Sequence, residues 1–300
     1  MKPLITVVIP TYNNAVQFIK NLEYNLKLLH DCEVIVVNDN PHMSFEKKLE
    51  SYDVHVINHS KNKGFAGAVN TGIHASHGEY ILLLNDDVQL QDNLFLNITS
   101  AFIKNPLLFA ISFAQIEKNG VVVGKNILFW KNGFIQHSRS NNLKMGNTGW
   151  AEGGSAIFDK EKIKLLGFFD EQFSPFYWED IDISYRAKKY GFTVLFDPKI
   201  KVIHHHETTI GKQFSNDTIA SVAYQNQLLC IWKNISSPHY IMQHLYYLLK
   251  RIVQSIFHGD MIFLKGFISA FIKIPYILRR RLSVSYLIPD HEILEKNIDE

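Results

Sequence analysis

Cysteine is nearly absent. Two residues in 300, Cys32 and Cys230, make neither a disulfide framework nor a zinc cluster, so a reducing cytosol is the expected setting. An excess of one charge is also missing. The net charge of +2 leaves no footprint for a nucleic-acid partner. No segment reaches the roughly 20 apolar residues needed to cross a bilayer. The apolar run over residues 4–9 is too short for a signal h-region and lacks a small-residue cleavage site, so it reads as a buried strand. Pro10-Thr11-Tyr12-Asn13-Asn14 follows without the glycine or base that a nucleotidyltransferase loop needs. Gly64-Phe65-Ala66-Gly67 does not give the G-x-G-x-x-G spacing of a dinucleotide site, and Ile210 stands where His206-Glu207 would need a second zinc-binding histidine. What remains is 46% hydrophobic and 20% charged, enough for a sizeable folded core.

Strand-like and helix-like patterns alternate through the first half. Short apolar runs at 4–9, 33–37, 54–57 and 79–84 are separated by helical patterns. Asn13 or Asn14 can cap the first helix, which would carry Val16, Ile19, Leu22, Leu26 and Leu29 on one face. Ser44 can cap a short helix over 45–52, and a small-residue helix follows over 65–76. This alternation predicts a mostly parallel α/β sheet flanked by helices, with ligands at the carboxyl ends of its strands. Thr11, Asp39, Gly64 and Asp87 fall at or just after such ends.

Further on, strands are expected over 109–115 and 121–130, and the polar, glycine-bearing stretch 132–148 reads as a mobile loop over the site. Asp159 can cap a helix that ends before Gly167. Another helix runs over 179–190 and stops at Gly191, and strands over 193–196 and 200–203 lead into His204-His205-His206.

The densest chemistry lies at Leu82-Leu83-Leu84-Asn85-Asp86-Asp87-Val88, where an apolar run ends in two carboxylates. Oxygen ligands on a sheet edge suit Mg²⁺ or Mn²⁺, which in turn suits a diphosphate. The alternative is a strand followed by an ordinary turn.

Several strings together resemble family 2 glycosyltransferases of the GT-A fold: the opening Val7–Asn14 run, Val34-Ile35-Val36-Val37-Asn38-Asp39, and Trp178-Glu179-Asp180-Ile181-Asp182 with Gly191 behind it. Asn62 to Asn70 followed by Asn85-Asp86-Asp87 is similar to the rhamnosyl- and galactofuranosyl-transferring branch. The similarity covers about residues 4–233. It implies a GT-A domain over 1–217 that moves a sugar, with inversion, from a nucleoside diphosphate donor (dTDP-rhamnose or a UDP-sugar) to a hydroxyl of a surface polysaccharide or lipid-linked glycan.

By that resemblance Pro10, Thr11, Tyr12, Asp39, Gly64, Asn70, Asn85 and Asp86 belong to the nucleotide-sugar site. Asp39 could accept the base imide N–H, or serve as a turn residue; the glycines allow close backbone approach or simple packing. Asp87 is the expected metal ligand, with His204 completing the shell and His206 as its alternate; an imidazole ligand suits Mn²⁺ better than Mg²⁺. Asn85 departs from the family's Asp-x-Asp pattern. Asp180 is the candidate general base, Glu179 its neighbour for an acceptor hydroxyl, and Asp182 faces away on the helix. Trp150, Gly153 and Gly154 resemble the loop facing donor sugar and acceptor, with a core Trp in a turn as the alternative.

Residues 218–300 change character. Leu245, Leu248, Leu249, Ile252 and Ile256 share a predicted helical face, and basic residues including Arg279-Arg280-Arg281 interleave with aromatics. Such a stretch is expected either at an anionic membrane surface, as a peripheral protein on the inner face of the cytoplasmic membrane, or packed on the catalytic domain. The Asn85 departure leaves one rival, a catalytically degenerate glycan-binding scaffold in a polysaccharide assembly complex.

Overall fold

A computed structural model describes residues 4–13, 15–204, 211, 213–282 and 286–295. The expectations for Asn14 and for His206 lie outside them.

The chain opens with four parallel strands: β1 (Ile5–Thr11), β2 (Glu33–Asn38), β3 (His55–Asn58) and β4 (Tyr80–Leu84). The central residues of β1, β2 and β4 are largely apolar and buried on both faces, as a covered parallel sheet requires, while β3 at the edge is half-buried. Helices α1 (Ala15–Leu26), α2 (Glu46–Leu49) and α3 (Gly64–Ala75) make the crossovers. Beyond β4 come β5 (Val88–Leu90), α4 (Thr99–Lys104), β6 (Leu108–Ile116) and β7 (Val122–Val123). Strands β8 (Asn126–Lys131) and β9 (Phe134–Arg139) form a separate hairpin. The rest of the sheet is β10 (Gly146–Asn147), β11 (Ser155–Asp159) and β12 (Thr193–His204), with α5 (Lys160–Leu165) and α6 (Glu179–Lys189) between the last two. The sheet order is β10-β12-β6-β11-β4-β1-β2-β3, with β5 added antiparallel to β12. Antiparallel β11 makes the sheet mixed but leaves it mostly parallel.

Four local expectations are corrected. The stretch 132–148 is not one loop, because Asn132 and Gly133 take φ of 51° and 79° and turn β8 back into β9. Asn-Gly is the residue pair such a two-residue hairpin favours. The strand expected over 121–130 breaks at Gly124, whose φ of 115° turns the chain out of the sheet. The helix expected over 45–52 is a single turn whose N-cap is Phe45, with no side-chain cap bond. On α1 the buried face is Phe18, Asn21, Leu22 and Asn25, while Val16 is 86% exposed.

The C-terminal part is helical: α7 (Asn216–Asn234), α8 (Pro238–His258), α9 (Met261–Ile272), α10 (Ile274–Leu282) and α11 (Asp290–Leu294). It shares a core with the β8–β9 hairpin and α6, including Leu128, Ile135, Trp178, Tyr185, Leu229 and Phe263. Buried ion pairs fasten it to the α/β body. Lys233 Nζ on α7 meets Asp170 (2.5 Å) and Asp182 (2.8 Å), and Lys189 Nζ meets Asp290 (2.8 Å). The predicted apolar face of α8 is split. Leu248 is buried against the body, but Leu245, Leu249 and Ile256 point to solvent, because Tyr240, His244 and Ser255 take the inner face instead.

Candidate active site

The site lies along the carboxyl ends of β1, β2 and β4 and the N-terminus of α6. At the β4 end, Asp86 Oδ2 accepts from Thr11 Oγ1 (2.8 Å), which joins two expected donor-site residues. Burial, then the neighbouring Asp87 charge, pushes the Asp86 carboxyl up to about 7. Helix α1 ties the turn down: Asn21 Nδ2 donates to Asp86 O (2.8 Å) and Asn25 Nδ2 to Val88 O (2.9 Å). These two buried asparagines, one helical turn apart, are functional supports that the apolar pattern hides. Strand β5 then pairs Val88 with His204, which carries His204 Nε2 to 3.1 Å from Asp87 Oδ1; His204 Nδ1 is 2.8 Å from Gln115 Oε1.

A carboxylate–imidazole pair beside a second carboxylate is a donor set that fits a divalent cation. Mg²⁺ and Mn²⁺ take one or two protein carboxylates and complete their shell with substrate phosphates and water. Among the described residues no three His, Cys, Asp or Glu side chains converge as a closed cage, so the set would need such phosphates.

Asp39 is 5% exposed and anchors the loop into α3. Its Oδ1 accepts from Lys63 N (2.8 Å) and meets His59 Nδ1 (2.7 Å), and its Oδ2 accepts from Gly64 N (2.8 Å). Three of about four acceptor positions on a carboxylate are used, so one is left for a base N–H. Gly64 has φ of 74°, and a Cβ there would fall 2.7 Å from Ser174 Oγ. Tyr12 is half-buried and Pro10 lies in β1 beside it. Asn70 is a correction. Its amide donates to Phe169 O (2.8 Å) and its carbonyl oxygen accepts from Phe169 N (3.1 Å), so it clamps a buried chain segment and does not face a donor.

At the other half of the site, Trp178 and Tyr177 hold positive φ of 75° and 70°. Such values strain non-glycine residues and persist only when neighbours enforce them. Here the Asn226 amide, from α7, shares its two N–H groups among Phe173 O (2.7 Å), Phe176 O (2.9 Å) and Tyr177 O (2.9 Å). Asp180 follows at the start of α6, accepting from Ile181 N (2.8 Å) and Gly153 N (3.3 Å). Burial raises its carboxyl to about 6, a rise those backbone donors restrain. Burial and Asp180 raise Glu179 well above the ordinary range, and its Oε2 is buried with no hydrogen-bond partner. Asp182 turns away toward α7, as expected, and binds Arg186, Lys233 and Asn234.

The Gly153–Gly154 turn touches both halves. A Cβ at Gly153 would stand 3.2 Å from the Phe65 ring, and one at Gly154 would lie 2.3 Å from Asn85 Nδ2. Trp150 is 7% exposed in the C-terminal core, with His137 against its edge, which fits the core alternative. Glu152 between them was given no role by the sequence. It accepts from Asn126 Nδ2 (2.6 Å), and burial followed by the Asp180 charge pushes it up to about 7, while His204 acts in the opposite sense. Glu152 thus lies within electrostatic reach of Asp180 and His204. The signal available was an acid between an aromatic residue and two glycines.

The mixed, mostly parallel sheet flanked by helices is a GT-A-like fold. The family model for glycosyl transferase family 2 matches residues 6–167, and the chain belongs to that family. It is 24% identical over 195 residues to poly-β-1,6-N-acetyl-D-glucosamine synthase of Staphylococcus epidermidis, covering 63% of this chain and 45% of that protein. It is 27% identical over 212 residues to dTDP-rhamnosyl transferase RfbF of Shigella flexneri, covering 68% and 70%. The chain spans less than half the length of the first of these relatives. Among solved structures, GalNAc-T7 with UDP, GalNAc and Mn²⁺ matches at TM-score 0.59 and 16% identity, covering 76% of this chain and 47% of that one. S. aureus TarS 1-349 with UDP-GlcNAc matches at TM-score 0.55 and 16% identity, covering 83% and 72%. These likenesses bear out the expected fold.

Proposed function

We propose that the protein is an inverting, divalent-cation-dependent glycosyltransferase. It moves a sugar from a nucleoside diphosphate donor to a hydroxyl of a surface polysaccharide or lipid-linked glycan. The observation that carries this reading is the meeting of Asp86, Asp87 and His204 at one strand end with Asp180 across the Gly153–Gly154 turn. RfbF makes dTDP-rhamnose the first donor to try, and UDP-N-acetylhexosamines the second.

Thr11, the Asp39 loop and Tyr12 form the base and ribose side. Asp87 and His204 would hold Mn²⁺ or Mg²⁺, which would neutralise charge on the departing diphosphate. Asp180 takes the proton of the acceptor hydroxyl as that oxygen bonds the anomeric carbon and the bond to phosphate breaks on the opposite face. Two backbone N–H groups keep Asp180 ionised at neutral pH, yet its value near 6 leaves it basic enough to accept a proton. Glu179 stands ready beside the acceptor. In this proposal the reaction runs at the inner face of the cytoplasmic membrane.

A panel of nucleotide sugars, each with and without Mn²⁺, tests the reading by thermal shift and by nucleotide release. One nucleoside diphosphate sugar should raise Tm with Mn²⁺ and lose that effect in EDTA. If none stabilises the protein or releases nucleotide, the glycan-binding scaffold replaces the enzyme.

A further inference from the structure

Exposed apolar surface is unevenly spread. Of 24 large hydrophobic residues exposed among the described ones, 14 lie between Met242 and Leu287. On α8 they form a stripe: Met242, Leu245, Leu249, Val253, Ile256 and Phe257 recur at helical spacing and are each at least half exposed. At about 1.5 Å per residue the stripe is roughly 22 Å long. It continues on α9 through Met261, Ile268 and Ile272.

The charge around it is one-sided. Residues 238–282 hold seven Lys or Arg and one acid, Asp260, a net of +6. Arg251 already pairs with that acid at 2.6 Å. Lys273, Arg280 and Arg281 donate to backbone oxygens of Gln172, Gly167 and Trp232, which fixes α9 and α10 to the body. Lys250, Lys265 and Arg279 are exposed on the outer side. No described helix is long and apolar enough to cross a membrane, and α9 with α10 reaches that length and apolarity only as a pair bent by 54°. Helix α9 also gives its other face to α7: Gly266 fits so closely that a Cβ would lie 2.6 Å from Ser221 O.

We infer that the outer face of α8 and α9 is a docking surface for an anionic lipid bilayer, lying in the interface plane. Apolar side chains enter the acyl boundary while the cations meet headgroup phosphates. A second copy of this chain is the poorer occupant, since a two-fold contact would set like cations against each other. The surface is coupled to the site. On α8, Gln243 Oε1 accepts from Trp130 Nε1 (2.6 Å) and His244 Nδ1 contacts Gly133 O (2.6 Å), so the helix holds the hairpin whose His137 lies against Trp150 and Trp178. The inference rests on the proposed function only in making the bilayer the acceptor's side.

Vesicle flotation of the full chain tests it without any sugar. Binding is expected to vesicles of phosphatidylcholine with phosphatidylglycerol and to be weak on phosphatidylcholine alone. The double variant Leu249→Glu/Phe257→Glu should lose at least about tenfold in binding with unchanged Tm, and Lys250→Gln or Lys265→Gln about fivefold each. Leu165→Glu, 56% exposed outside this region, should bind as wild type. Equal binding to both vesicle types, full binding by the double variant, or a dimer in light scattering that the double variant abolishes would each overturn it. Donor-induced thermal shift in vesicle-free buffer is read separately, so failure of docking and failure of the enzyme reading are distinct.

Discussion

Asp87 reaches the site on a short strand end that α1 holds through Asn21 and Asn25, whereas Asp180 reaches it on strained backbone that a helix nearly fifty residues downstream holds in place. On the strand-end side the supports are few and local to the sheet: one threonine, two asparagines and the β5–β12 pairing. On the acid-motif side they are buried charges and a shared amide from α7, so that half depends on the C-terminal helices being docked. The contrast shows where chemistry can be separated from stability. Strand-end residues can be changed at the tip, while the acid motif rests on a polar core.

Asp180→Asn gives the largest expected effect. It keeps size and lets the side-chain oxygen accept from Gly153 N, but removes the base. Transfer should fall at least about 10³-fold with donor-induced thermal shift retained. Transfer at wild-type rate would move the base to Glu179 and break the comparison at its chemical end. Next comes Lys233→Met, which leaves Asp170 and Asp182 buried beside one cation fewer. A loss of about 3–5 kcal/mol in urea unfolding is expected. Burial alone would raise Asp170, but Lys233 outweighs it and holds the carboxyl at about 2. A depressed carboxyl stabilises the fold above its unfolded value near 3.8, and that stability disappears as pH falls toward 2. In Lys233→Met that acid-sensitive step should flatten.

How much of this was legible follows the same division. The four parallel strands announce themselves as apolar runs ending in Thr11, Asp39 and Asp86-Asp87, because strand, turn and ligand are contiguous in sequence. Asn70 looked like a donor contact because its string matched a pattern, yet its side chain bonds Phe169, 99 residues away, which no local signal carries. The β8–β9 hairpin was hidden by polarity, although its Asn132-Gly133 turn was readable. Asn226 could not be read at all, since it acts through three carbonyls about fifty residues upstream, and Glu152 showed only as an acid between an aromatic residue and two glycines, its charged neighbours lying on other elements.

A matched pair of asparagines sharpens the comparison further. Asn226→Ala removes the amide shared by three carbonyls and frees Tyr177 and Trp178 to relax, at a cost of about 2 kcal/mol. Because that relaxation moves Asp180, kcat should drop with KM for donor little changed. Asn25→Ala, which unties Val88 O and Leu90 N, should cost a similar amount. Its effect should instead appear as weaker Mn²⁺-dependent donor binding. If both variants changed the same kinetic parameter, the two halves would be one cooperative unit.

Glu152→Gln has the smallest expected effect and is the most diagnostic. Burial, then Asp180, raises Glu152 from 4.5 to about 7. A carboxyl raised in the folded state gives stability that is full below its unfolded value and is lost as pH climbs through 7. The glutamine keeps an oxygen for Asn126 but carries no charge. The variant should therefore match wild type near pH 4.5 and be the more stable of the two at pH 8 in urea unfolding. Glu152, at about 7, is still largely protonated while Asp180 ionises near 6, so its charge does not oppose that ionisation. The acid limb of kcat/KM, expected near pH 6 in wild type, should therefore stay in place in the variant. A fixed limb with raised stability would place Glu152 on the structural side of the site, and a shifted limb would make it the residue through which the two halves sense each other's charge.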